Sequence, residues 1–149
     1  MAELHLRRGI RFAASVFLIS AGMHAMAHYQ YYVADLFADE RRRAVVEAMQ
    51  SYVIVPRFGT TMWTLHCMFS ASFAVFLILT GTAYWWMAKD MPLQKLRPLA
   101  TASAWLCFAA TVLVSLAYPV LQTVLILLLA ALGFSYAAWR GRGITRPAL

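Results

Sequence analysis

Long apolar stretches separated by short polar segments organise this chain. They run from about Ile10 to Tyr32, Thr61 to Ala88, Pro98 to Ala117 and Pro119 to Trp139. Each reaches or approaches the ~20 residues that an α-helix needs to cross the hydrocarbon core of a bilayer. Pro98 and Pro119 suit the first turn of a helix, where no amide donor is required, so Ala117-Tyr118-Pro119 reads as a tight hairpin. Trp63 and the Trp85-Trp86 pair bracket the second stretch. At 1.5 Å per residue they stand about 33 Å apart, which matches two interfacial aromatic belts. Trp139 and Arg140 close the fourth stretch in the same way. Between the first and second stretches, Leu36, Val45, Val46, Met49 and Val53 recur at partly helical spacing. This predicts a short amphipathic helix between Asp35 and Tyr52, lying on or capping the bundle. Pro56 and Gly59 then turn the chain into the second stretch.

Composition decides what kind of helices these are. The chain is 62% hydrophobic and 13% charged over 149 residues, with a mean hydropathy of +0.65. That is too apolar for a soluble domain of this size. The expected fold is all-α: a single-domain, four-helix transmembrane bundle without internal repeats. Leu6 to Arg11 before an apolar run mimics a signal peptide, but no small-residue cleavage site follows, and the segment is expected to be a retained first span. Cys67 and Cys107 fall within separate apolar stretches and read as free thiols.

The net charge of +7 changes the picture only through its placement. The basic residues sit in short blocks flanking apolar runs rather than on a stripe interleaved with aromatics, which argues against nucleic acid as a partner. Arg7, Arg8 and Arg11 open the first span, Lys89, Lys95 and Arg97 lie between the second and third, and Arg140, Arg142 and Arg146 follow the fourth. In a four-span chain all three groups share a side, so both termini and the middle loop are expected to be cytoplasmic. The first loop balances Arg41, Arg42, Arg43 and Arg57 against Asp35, Asp39, Glu40 and Glu47. It is expected to be extracytoplasmic.

Polar residues inside the apolar stretches are the candidate chemistry. Ser20, His24, His28 and Tyr31/Tyr32 recur at steps of three or four and share a face of the first helix. Trp63, His66 and Ser70 repeat that spacing in the second. The first loop joins these two helix ends, so the stripes approach from one membrane side, with His24 and His66 about 7 to 12 Å deep. An unpaired ionisable group at that depth is costly and marks a site by default. A His-lined pocket is therefore expected from His24, His28 and His66, with Glu47, Asp35 or Arg57 available from the loop. Ser20, Tyr31, Trp63 and Ser70 would line it.

Three functions fit these residues. In the first, the pocket binds a lipidic, isoprenoid-like small molecule or transforms it by acid/base chemistry. An imidazole titrates near neutrality, so His24 and His66 would serve as acid and base, assisted by Glu47. In the second, His24 and His66 ligate haem b, or His24, His28 and His66 form a three-His copper or zinc set. Met23, Met26, Met49, Met62 and Met68 fall in the same outer half and would add soft ligands. In the third, the histidines merely join helices in a non-catalytic accessory subunit or scaffold. Gly22, Gly81 and Gly133 would permit close helix contacts there, including those of a homo-oligomer. Membrane lipids are the expected surroundings in all three.

One resemblance bears on the fold. A first span bearing glycine and histidine is followed by a loop reading Glu40-Arg41 and Glu47-Ala48-Met49. Thr61-Met62-Trp63 then precedes a span with Phe69 and Phe73. Over roughly residues 10–86 this pattern resembles an uncharacterised family of small bacterial four-helix membrane proteins. The resemblance implies a multi-pass fold in a bacterial cytoplasmic membrane and no particular activity.

Overall fold

The computed structural model describes residues 1–34, 39–117 and 120–143. Its element order is α1 (Ala2–Tyr29), a π-helical turn (Gln30–Ala34), α2 (Glu40–Ser51), β1 (Val53–Val55), a 3-10 turn (Pro56–Phe58), β2 (Thr60–Thr61), α3 (Met62–Asp90), α4 (Leu93–Ala117), α5 (Leu121–Arg140) and a final 3-10 turn (Gly141–Gly143). Four of these helices, α1 with its π extension, α3, α4 and α5, are long and apolar enough to cross a membrane. Their outward faces suit that solvent. Phe76 and Leu79 on α3, Trp105, Leu106 and Leu113 on α4, and Leu132 on α5 are all more than half exposed. Water-soluble proteins seldom expose so many large apolar side chains on long helices.

Contacts divide the chain into two compact units. One comprises Met1–Ser20 and the chain from Ile78 onward, the other Ala21–Leu77. The first unit packs the start of α1 and the end of α3 with α4 and α5. Leu6, Ile10, Leu96 and Phe134 are fully buried at its centre. Phe17 stacks on Tyr84 with ring centroids 6.3 Å apart, and Tyr84 meets Phe134 at 4.7 Å. The Tyr84 hydroxyl, which burial would otherwise leave unsatisfied, bonds Ser103 Oγ at 2.6 Å.

Small residues let these helices approach closely. A Cβ on Gly9 would lie 2.8 Å from the Gly133 carbonyl oxygen, and one on Gly81 would lie 2.7 Å from Leu18 Cγ. Gly81 and Gly133 thus serve contacts within the chain, whereas Gly22 has nothing within 4 Å of a built Cβ. Gly9 belongs with them and has no counterpart among the expected glycines.

Basic residues gather at one end of this unit. Arg7 Nη1 donates to the carbonyls of Ala88 (2.7 Å) and Lys89 (3.1 Å), satisfying acceptors that the last turn of α3 leaves open. Arg97 Cγ and Leu6 Cδ1 both approach the Cα of Gly141, each 3.3 Å from a built Cβ. Two boundaries differ from expectation here. Helix α1 begins at Ala2 rather than Ile10, because Arg7 and its neighbours find partners at the helix end that an apolar window does not register. Helix α4 begins at Leu93, so Pro98 lies inside it. Pro92 takes the capping role, its carbonyl accepting from the amides of Lys95 and Leu96. The Tyr118-Pro119 joint lies outside the described residues.

In the second unit, Asp39 caps α2 by accepting the Arg42 amide at 2.7 Å. This is the ordinary role of an aspartate at that position. Val46 is the buried residue of α2 while Val45 faces out, and Leu36 lies outside the described residues. After α2 the chain forms a small hairpin, Val53 pairing with Thr61 and Val55 with Thr60. Gly59 turns it at φ 62°, the left-handed region that glycine enters without strain. The β-branched run Val53-Ile54-Val55 is the signal for this strand, absent from the helical expectation.

Candidate functional site

Within the second unit the expected polar stripes meet as a ladder between α1 and α3. His24, His28 and Tyr32 follow one another at steps of four, the last carried into line by the π turn after Tyr29. Opposite them, in reverse order, stand Phe73, Ser70, His66 and Trp63. This antiparallel register follows from the direction of the two helices, and the steps of three and four keep each set on one face.

Ser70 is shared by two imidazoles. His24 Nε2 lies 3.0 Å from the Ser70 carbonyl oxygen and 3.2 Å from its hydroxyl, and His28 Nδ1 lies 2.9 Å from the same hydroxyl. A carbonyl oxygen only accepts, so His24 carries its proton on Nε2 and donates to Ser70. The Ser70 hydroxyl is then free to donate its single proton to His28 Nδ1, an arrangement in which the His28 proton sits on Nε2. The His24 ring rests edge-on against Phe73 at 5.0 Å. These rings and Ser70 are half-buried.

The outer part of the ladder is built differently. Tyr32 Oη lies 2.7 Å from His66 Nε2, the shortest polar contact of the site. Tyr32 is packed by rings on three sides: His28 at 4.6 Å, Trp63 at 5.4 Å and His66 at 5.5 Å between centroids. No hydrogen bond joins His28 to Tyr32 among the described residues, so the ladder consists of two hydrogen-bonded segments stacked on one another. His66 is exposed, whereas Tyr32 is half-buried. A phenol and an imidazole in direct contact can exchange a proton with each other and with a third group that reaches them.

The expected site residues divide accordingly. His24, His28, His66, Ser70 and Trp63 are brought together, but no ring contact or hydrogen bond joins His24 to His66 among the described residues. Each is engaged by a partner on the opposite helix. Tyr32 stands on the ladder and Tyr31 does not. Tyr31 is exposed, its carbonyl accepts from Arg42 Nη2, and the Arg42 guanidinium lies 5.1 Å over its ring. The signal was the step of four from His24 through His28, which selects Tyr32.

Ser20 is only 7% exposed and belongs to the other unit. Glu47 is exposed on α2 and makes no hydrogen bond or ion pair with the histidines among the described residues. Arg57 is exposed on the hairpin turn, its guanidinium 5.7 Å over Phe58. Asp35 lies outside the described residues. Met23, Met26, Met62 and Met68 all face outward.

A three-His metal set requires converging ring nitrogens. Here two of the rings point at Ser70 and the third at Tyr32, and among the described residues no three His, Cys, Asp or Glu side chains gather as a metal-holding group. A cavity beside α1, lined by Ala25, Met26, Tyr29, Gln30 and Ala34, touches none of the three histidines. Cys67 and Cys107 are free thiols. Compared with family models, curated proteins and solved structures, the chain matches none of them.

Proposed function

We propose that the protein is a small multi-pass membrane protein whose Tyr32–His66 pair is an acid/base site for a lipid-like, isoprenoid-like molecule. The observation that carries this reading is the 2.7 Å contact between Tyr32 Oη and an exposed imidazole. His66 lies four residues into α3, about 6 Å from its start, so in a membrane it sits just below the polar boundary. There it meets amphipathic molecules rather than bulk water. Tyr32 and His66 would hold and return one proton. Trp63 and the His28 ring fix the phenol, while the His24–Ser70–His28 segment holds α1 against α3.

In this reading both termini face the cytoplasm, and α2 with its hairpin lies outside. Support comes from the basic residues that meet at one end of the first unit and from the positive-inside rule. A bacterial cytoplasmic membrane is part of the same proposal and rests on the sequence pattern of residues 10–86 alone. Copper or haem held by His24, His28 and His66 is the less supported chemistry, because among the described residues no three His, Cys, Asp or Glu side chains gather as a metal-holding group.

One observation favours a second reading, an accessory subunit whose histidines only join helices. The same contacts give each imidazole a partner on the neighbouring helix. Mass spectrometry of molecules extracted from the purified protein, with its visible absorbance, separates the readings. The acid/base site predicts a lipophilic molecule that copurifies with the wild type and is depleted in His66→Gln at unchanged helicity. Loss of stability alone, with an identical extract, favours the accessory reading. A Soret band or stoichiometric copper abolished by His24→Gln favours the metal.

A further inference from the structure

A second feature lies in the other unit, between α4 and α5. A groove of about 600 Å³ runs between these helices, with Arg97 and Arg142 at one end, Trp105 and Trp139 along it, and Phe108 and Leu128 toward the far end. Its walls beyond the arginines are apolar except for Thr101 and Ser135. Thr101 turns its hydroxyl back to the Arg97 carbonyl at 3.0 Å, so it leaves the groove no strong polar demand.

Two properties identify the occupant. The first is charge: among the described residues the groove's guanidinium groups stand where it meets the helix ends, which matches an anionic head on an apolar tail. The second is length. From Arg97 to Phe108 a helix rises about 17 Å, close to the roughly 15 Å of one leaflet's hydrocarbon. Trp105 and Phe108 are more than half exposed, so the groove opens sideways to the lipid phase.

We propose that this groove holds one acyl chain of an anionic glycerophospholipid of the surrounding membrane, with its phosphate between Arg97 and Arg142. The site is separate from the Tyr32–His66 pair and would stand if that assignment failed. It rests only on the four long helices crossing a bilayer.

Native mass spectrometry of the full chain in mild detergent, titrated with phosphatidylglycerol and phosphatidylcholine of identical acyl chains, tests it. The wild type should retain phosphatidylglycerol preferentially. Each arginine near an anionic surface contributes roughly fivefold, so Arg97→Gln/Arg142→Gln should abolish the preference, and Ala104→Trp should lower retention of both lipids by filling the groove. Arg142→Gln alone, at an exposed position, should reduce the preference several-fold and remains readable if the double variant loses helicity. Equal retention of the two lipids by the wild type would overturn the proposal, as would an undiminished preference in Arg142→Gln. A lipid-free dimer that Ala104→Trp dissociates would show instead that a second copy of the chain covers the groove.

Discussion

A serine hydroxyl has one proton to give, and at Ser70 two imidazoles approach it from the neighbouring helix. The carbonyl of the same residue settles the direction at His24, which donates, and the Ser70 hydroxyl keeps a proton that it can donate onward to His28. Removing the hydroxyl therefore strands His28 Nδ1 and leaves His24 the carbonyl alone. Interhelical hydrogen bonds in membranes are worth about 0.6 kcal/mol on average and up to ~1.7. Ser70→Ala should then destabilise the protein by about 1 kcal/mol in a reversible unfolding assay. Ser115→Ala, whose hydroxyl bonds only its own helix at the Thr111 carbonyl, should stay within about 0.5 kcal/mol of wild type. Nitrogen-15 NMR of the rings should find His24 and His28 both protonated at Nε2 in the wild type. A His24 ring protonated only at Nδ1 would contradict the assigned direction.

Helices meet here through glycine as much as through polar groups. At Gly9 a methyl group would collide with backbone of α5, 2.8 Å from the Gly133 oxygen and 2.9 Å from the Ala137 nitrogen, while at Gly22 it would enter open space. Gly9→Ala should cost about 1–3 kcal/mol, the usual penalty of overpacking a fixed contact. Gly22→Ala should be neutral or stabilising by up to about 1 kcal/mol from helix propensity. Thermal unfolding of the two variants side by side checks this, and equal effects would contradict the packing described. From sequence, Gly22, Gly81 and Gly133 look alike, one to a helix. Which of them faces a neighbour depends on helix rotation, which apolar composition leaves open when most faces of a span are hydrophobic. The same degeneracy hid the choice between Tyr31 and Tyr32, although the step of four from His28 carried the answer. It also hid Arg7, whose partners are carbonyls 81 and 82 residues away.

At the scale of the whole molecule, four apolar helices were legible because length and composition alone determine them. Their ends were less so: α1 and α4 start earlier than their apolar windows, where Arg7 and Pro92 meet open backbone groups. The proposed orientation makes a clear demand. With Cys67 and Cys107 replaced by alanine, Glu47→Cys should react with a membrane-impermeant thiol reagent in cells whose inner membrane is intact. Lys95→Cys should react only after permeabilisation, and the reverse pattern would invert the topology. Sidedness matters for function because it decides from which leaflet a molecule reaches His66.

The central proposal is that Tyr32 and His66 exchange a proton with that molecule, and solvent deuterium reports this directly. Protein incubated in D₂O and then extracted should yield a retained lipophilic molecule carrying deuterium bound to carbon by mass spectrometry. Tyr32→Phe and His66→Gln, folded to the same helicity, should yield it unlabelled or not at all. A wild type that retains no such molecule, or one that takes up no deuterium, would contradict an acid/base site at Tyr32 and His66.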